Sequence, residues 1–217
     1  MKNILIVTFA GLLTGITICY GQNKVEVGIR FIPQVTTFRY TQGVGPIVDF
    51  LKVSAPYYHR TRTAQGIGIT YHPSQRVGIG ADILYSLQGG GYEQRKTNLN
   101  YMKLPLWVGY NSTSKRKIIF IVQSGIELSY LVSAKLKYPE GKPLDIHSYV
   151  NRTSWGIPFA IGAKFKVYQS YFLSIQLYVY SDISSLAKTN TVFGVYNYIY
   201  PGLRISIDRN LRTLKSH

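Results

Sequence analysis

The sequence predicts an all-β chain: an eight-stranded antiparallel up-and-down transmembrane β-barrel with four long external loops and short periplasmic turns. Three observations predict it. Apolar residues recur at every second position in eight segments, long and short connections alternate between them, and the chain opens on an export signal. The clearest segment is Trp155–Val167, where one parity is large and apolar and the other is small or charged. A period of two is the mark of a strand with two different faces.

The N-terminus carries Lys2 before an uncharged, mostly apolar stretch from Ile4 to Ile18, and Cys19-Tyr20-Gly21 places small residues at the −3 and −1 positions. This predicts a secretory signal over 1–21 cleaved after Gly21, and a mature barrel domain over 22–217. A lipidated Cys19 is the rival reading, but Ile18 and Ile16 stand where a small residue and a leucine are wanted. The 217 residues suit one β domain, and no linker or shift of composition divides them. Cys19 is the only cysteine, so the mature chain has no disulfide, cysteine zinc site or thiol nucleophile. Past the signal, no run of 18 apolar residues suggests a spanning helix.

The strands are expected at about 25–40, 65–71, 77–88, 99–110, 118–132, 155–167, 171–180 and 196–207. The second is marginal for the ~9–11 residues of a tilted membrane strand. Alternation shifts around Pro105, which predicts a bulge there. Connections 41–64, 89–98, 133–154 and 181–195 are long, whereas 72–76, 111–117 and 168–170 are brief and rich in turn formers. Residues 208–217 read as a basic periplasmic tail.

A soluble barrel with its apolar face inside is the competing architecture. The other parity carries Gly28, Gly66, Gly68, Gly78, Gly80, Gly125, Gly162 and Gly202. Glycine weakens a solvated strand for no gain, but it fits the narrow interior of eight strands. Aromatic residues gather near both segment ends: Tyr71, Tyr110, Tyr168 and Tyr171 by the short turns, and Tyr85, Tyr130, Trp155, Tyr178, Tyr180, Tyr196 and Tyr198 by the long loops. Two girdles at the membrane interfaces are the expected reading.

The segment Leu99-Asn-Tyr101-Met-Lys-Leu104-Pro105-Leu106 resembles the "L-x-Y-L-x-I-P-L" stretch of the PorT-like outer-membrane β-barrel family of Bacteroidota. The Tyr-Gly-Gln end of the signal and the glycine-spaced strands fit the same family. The resemblance implies an eight-stranded outer-membrane barrel and a link to protein secretion through the founding type. The basic tail departs from the aromatic end common in such barrels.

By parity Glu26, Arg30, Asp82, Lys103, Glu127, Lys164, Lys166 and Arg204 point into the lumen. Charges in so narrow an interior are expected to pair and plug it, with a selective ion path as the alternative. Arg76, Lys115, Arg116, Lys117, Arg209, Arg212 and Lys215 form a basic periplasmic rim with Asp208 as its sole acid. Lys52, Arg60, Arg62, Arg95, Lys96, Lys135, Lys137, Lys142, Arg152 and Lys188 lie in or beside external loops. In an exported chain a formal charge of +16 fits the phosphates of lipid and lipopolysaccharide, or an acidic protein partner at the rim, better than nucleic acid.

Neither catalytic, cofactor nor metal residues are assigned. The four histidines (His59, His72, His147 and His217) lack metal-ligand spacing, and Gly89-Gly-Gly91 lacks the helix of a phosphate cradle. His147-Ser148 near Asp145 leaves open an outer-leaflet hydrolase acting on lipid A or phospholipid, but triad residues usually come from distant segments. The expected function is a structural, binding or assembly-associated component of the outer membrane; a lipid-modifying enzyme and a narrow solute conduit are the alternatives.

Overall fold

The computed structural model describes residues 24–42, 57–92, 95–112, 118–186 and 193–211. The expected signal over 1–21 and its cleavage after Gly21 lie outside them, as do Lys115, Arg116, Lys117, Arg212 and Lys215.

Eight long strands form the wall: β1 Lys24–Gln42, β2 Arg60–His72, β3 Val77–Gln88, β4 Arg95–Asn111, β5 Ile118–Lys137, β6 Thr153–Tyr168, β7 Tyr171–Asp182 and β8 Phe193–Leu211. Each pairs antiparallel with its sequence neighbour, and β1 pairs with β8, so the sheet closes on itself. Closure removes the open edges that a membrane interior does not tolerate. The β6–β7 turn spans two residues, with Gln169 at a positive φ of 28°.

The alternation acts as expected. Ile207, Ile29, Ile67 and Ile83 sit opposite one another across β8, β1, β2 and β3. All four face outward, 47 to 59% exposed. Leu106, Val108, Phe120, Ile126, Leu128 and Ile157 extend this apolar belt around the barrel. Such a surface suits hydrocarbon and not water. The other parity fills the interior: in β4, Tyr101, Lys103 and Trp107 are buried while Met102, Leu104 and Leu106 are exposed.

The structure corrects the sequence reading at several points. The marginal second strand is 13 residues long, because Arg60-Thr-Arg-Thr continues the ladder without an apolar alternation to announce it. β5 runs to Lys137 and pairs there with the short strand Leu144–Asp145. Pro105 causes no bulge: Ala81↔Leu106 and Leu84↔Lys103 keep one register across it. The slip lies at Asn100/Tyr101 on the β5 side. β8 runs through Leu211, so Asp208 belongs to the strand and not to a tail. Of the expected girdles, Tyr110, Tyr168, Tyr171, Tyr85, Tyr130 and Trp155 are exposed. Tyr178 and Tyr180 are instead buried, since Leu177 on the opposite parity faces outward.

Placing a charge in the isoleucine row tests the membrane-facing assignment. Ile67→Arg should cost about 2–4 kcal/mol of folding stability in phospholipid vesicles, read from urea titrations. An outward arginine on a water-soluble barrel would instead be neutral.

Candidate functional site

The interior holds the candidate site, and its side chains arrive from every strand by parity. At the turn end, Glu26 of β1 takes an ion pair from Lys164 of β6, and His72 Nε2 lies 3.2 Å from the same carboxylate oxygen. Lys164 also stands 4.6 Å from the centre of the Phe172 ring. Further in, Arg30 Nε donates to Asp82 Oδ1 at 3.0 Å and Arg30 Nη1 to Asp208 Oδ1 at 2.5 Å. Arg204 Nη2 donates to the other Asp82 oxygen at 2.7 Å, and Ser206 Oγ donates to Asp208 Oδ2 at 2.7 Å. Two cations and two carboxylates thus form one chain across β1, β3 and β8. Gly68, between β1 and β3, is what lets them meet: a Cβ there would collide with Asp82 and with the Arg30 guanidinium.

A third group lies toward the loops. Lys103 Nζ donates to Glu127 Oε1 at 2.5 Å, and Tyr178 donates its hydroxyl proton to Oε2 at 3.0 Å. The Lys103 ammonium sits 3.9 Å above the Tyr180 ring, whose hydroxyl donates to Asp182. Lys103 and Glu127 are diagonal neighbours across the β4–β5 ladder, as counting from the intervening turn implies.

Above them an apolar cluster packs beside the buried polar side chains of Gln34, Thr36, Ser86 and Gln88. Leu99, Tyr101, Leu131 and Ala134 of the wall pack with Leu186, and Ile146 and Val150 press onto this cluster. The segment carrying Ile146 and Val150 is pinned by Ile146 N to Ala134 O at 3.1 Å and by Asn151 N to Leu186 O at 2.7 Å. Towards the turns there is a cavity of only about 20 Å³, lined by residues including Glu26, His72, Trp107, Gln123, Lys164 and Gln176. That is room for about one water. Pairing and packing together leave no wide path through the described residues.

Glu26, Arg30, Asp82, Lys103, Glu127, Lys164 and Arg204 are therefore all buried and all paired, in three groups. Lys166, also expected inside, is exposed, next to a register slip at Val167. Sequence reasoning missed Asp208, His72, Tyr178, Tyr180 and Asp182. Strict parity through β7, and continuing β8 past Ile207, would have found all of these except His72.

The rims are basic. Arg76 and Arg209 are exposed at the turn end, Arg209 5.8 Å from the Tyr171 ring centre, while the acid assigned to that rim, Asp208, is turned inward. At the loop end Arg60 and Arg62 stand above the apolar belt. Asp145 Oδ1 accepts the backbone amide of His147 at 2.8 Å, just ahead of the short 3-10 turn His147–Tyr149. Among the described residues, no three His, Cys, Asp or Glu side chains are grouped to hold a metal ion.

Removing one partner of a buried pair exposes its value. Glu127→Ala should destabilise the barrel by about 3–5 kcal/mol, because it strands the Lys103 charge. Replacing both, as Lys103→Met with Glu127→Leu, should recover most of that loss in the same urea titration.

No family model matches the sequence, and no curated protein matches it. Solved structures do resemble its fold. Neisserial surface protein A superposes with a TM-score of 0.51 at 10% identity, covering 87% of this chain and 97% of its own. The outer-membrane protein OprG from Pseudomonas aeruginosa gives a TM-score of 0.50 at 10% identity, covering 89% and 97%. Both are small eight-stranded outer-membrane barrels, and at this identity the likeness establishes the fold.

Proposed function

We propose that the chain is a small integral outer-membrane protein with a plugged lumen, acting through its rims as a structural, binding or assembly-associated component of the envelope. The observation that carries this is the interior itself. Three ion-paired groups and an apolar cluster occupy the lumen, which among the described residues leaves no wide path for a solute. Chemistry left to such a molecule is on its outside. The PorT-like resemblance of the Leu99–Leu106 segment fits an envelope role tied to secretion, and the apolar belt fits a membrane position.

Both rims then become the working surfaces. At the turn end the exposed Arg76 and Arg209 have no neighbouring acid among the described residues, because Asp208 pairs inside with Arg30. Lys115, Arg116, Lys117, Arg212 and Lys215 belong to the same end by sequence. A positive field of this kind would hold lipid phosphates or an acidic protein partner.

Purified protein in planar bilayers should show no steady conductance of a large-pore kind; a stable open channel would refute the plugged reading. Charge reversal at Lys115, Arg116 and Lys117 tests the rim. A specific co-purifying band should disappear while the barrel stays heat-modifiable on gels, and an unchanged set of bands after reversing turn and tail together would end the docking reading.

A further inference from the structure

We propose that the loop-end wall around Asn98 binds the phosphates of an outer-leaflet phosphorylated glycolipid, a reading that rests on the outer-membrane assignment above. Arg60 and Arg62 reach from β2 to the same atom, Asn98 Oδ1, Arg60 at 2.7 Å. Arg60 Nη1 also lies 3.5 Å from Thr97 O. Among the described residues the acceptors they meet are neutral, and Arg62 Nε is buried with no partner. Two guanidiniums converging on one amide oxygen repel each other unless an anion joins them.

The same wall adds lysines. Asn98 sits opposite Lys135 in the β4–β5 ladder, and Lys96 sits directly opposite Lys137. All three lysines are exposed. Like charges opposed across a sheet are destabilising, and nothing in the fold requires lysine at both positions. Asp145, in register with Lys135 on its other side, gives one carboxylate oxygen to the His147 amide.

The position selects an amphiphile over a free anion. On β4 and β5 just below the cluster, Met102, Tyr130 and Val132 are exposed by 40, 52 and 46%. A ligand with acyl chains against this apolar face would carry its phosphates up to the cations. The long loops mark this end as external, where phosphorylated glycolipid forms the leaflet.

The test folds the full chain into phosphatidylcholine nanodiscs doped with bis-phosphorylated lipid A, or with the same lipid after dephosphorylation. Native mass spectrometry then reads which lipid is retained. Phosphorylated lipid A should be retained about tenfold better, the factor expected from a few charge-assisted contacts. Lys96→Gln with Lys137→Gln should abolish most of that preference, yet raise Tm in phosphatidylcholine alone by removing the opposed charges. Arg60→Gln with Arg62→Gln should do the first but not the second; if this variant fails to fold, the lysine pair decides. Equal retention of the two lipids, or wild-type retention by the lysine variant, would overturn the site. So would inorganic pyrophosphate raising Tm as much as lipid A does, which would mean a free-anion site. A chain that does not fold into phosphatidylcholine at all would instead sink the outer-membrane reading, and this one with it.

Discussion

The contact on which the rest depends is Arg30 held between Asp82 and Asp208. It joins β1 to β8, the pairing that closes the ring, and reaches past β2 to β3. Eight strands enclose a space that side chains fill, so each charge there is largely removed from water. An unpaired charge in that setting costs several kcal/mol, whereas a fully paired chain roughly breaks even. The network is therefore a condition of closure more than a source of net stability. It tolerates no gap, which explains why both carboxylate oxygens of Asp82 and both of Asp208 are occupied.

This constraint fixes what the neighbouring positions can be. Gly68 gives the Arg30 guanidinium its room. Gly80 does the same for Trp107, whose ring lies where a Cβ at that position would fall, and Trp107 in turn has Arg204 5.8 Å from its ring centre. Small residues on one strand thus make room within the lumen for large side chains from the next. The apolar residues released from core duty face outward, where hydrocarbon covers them. A water-soluble barrel would need the reverse assignment of the two parities, and its charged face would not then have to be so fully paired.

Much of this was legible in the sequence because a period of two leaves little ambiguity about which face a residue joins. Of the eight charged residues that parity sends inward, seven are buried and Lys166 is exposed, and β3 has the bounds expected of it. The failures have specific causes. Arg60-Thr-Arg-Thr is a strand whose neighbours define it, so its own pattern is silent. Tyr178 and Tyr180 read as girdle residues because tyrosine favours interfaces, although Leu177 had already claimed the outer face. Asp208 was lost by ending the strand at its last apolar residue. A strand inside a closed barrel ends where its partners end, and Arg209 and Asn210 still pair with β1. His72 carries no such signal: it closes the second strand beside a turn, and only the fold brings it to Glu26.

The same pairing governs the charge that the molecule shows to its surroundings. Of nine acidic residues, five (Glu26, Asp82, Glu127, Asp182 and Asp208) are buried in the lumen. Among the described residues, four lysines and arginines, Arg30, Lys103, Lys164 and Arg204, are buried with them. The interior thus nearly neutralises itself while consuming most of the acids. The chain's formal charge of +16 is therefore hardly reduced by this interior. Because the interior nearly cancels its own charge, the excess of 25 lysines and arginines over 9 acids is carried outside it. Such a positive exterior is the charge complement of the lipid phosphates proposed above as its partners.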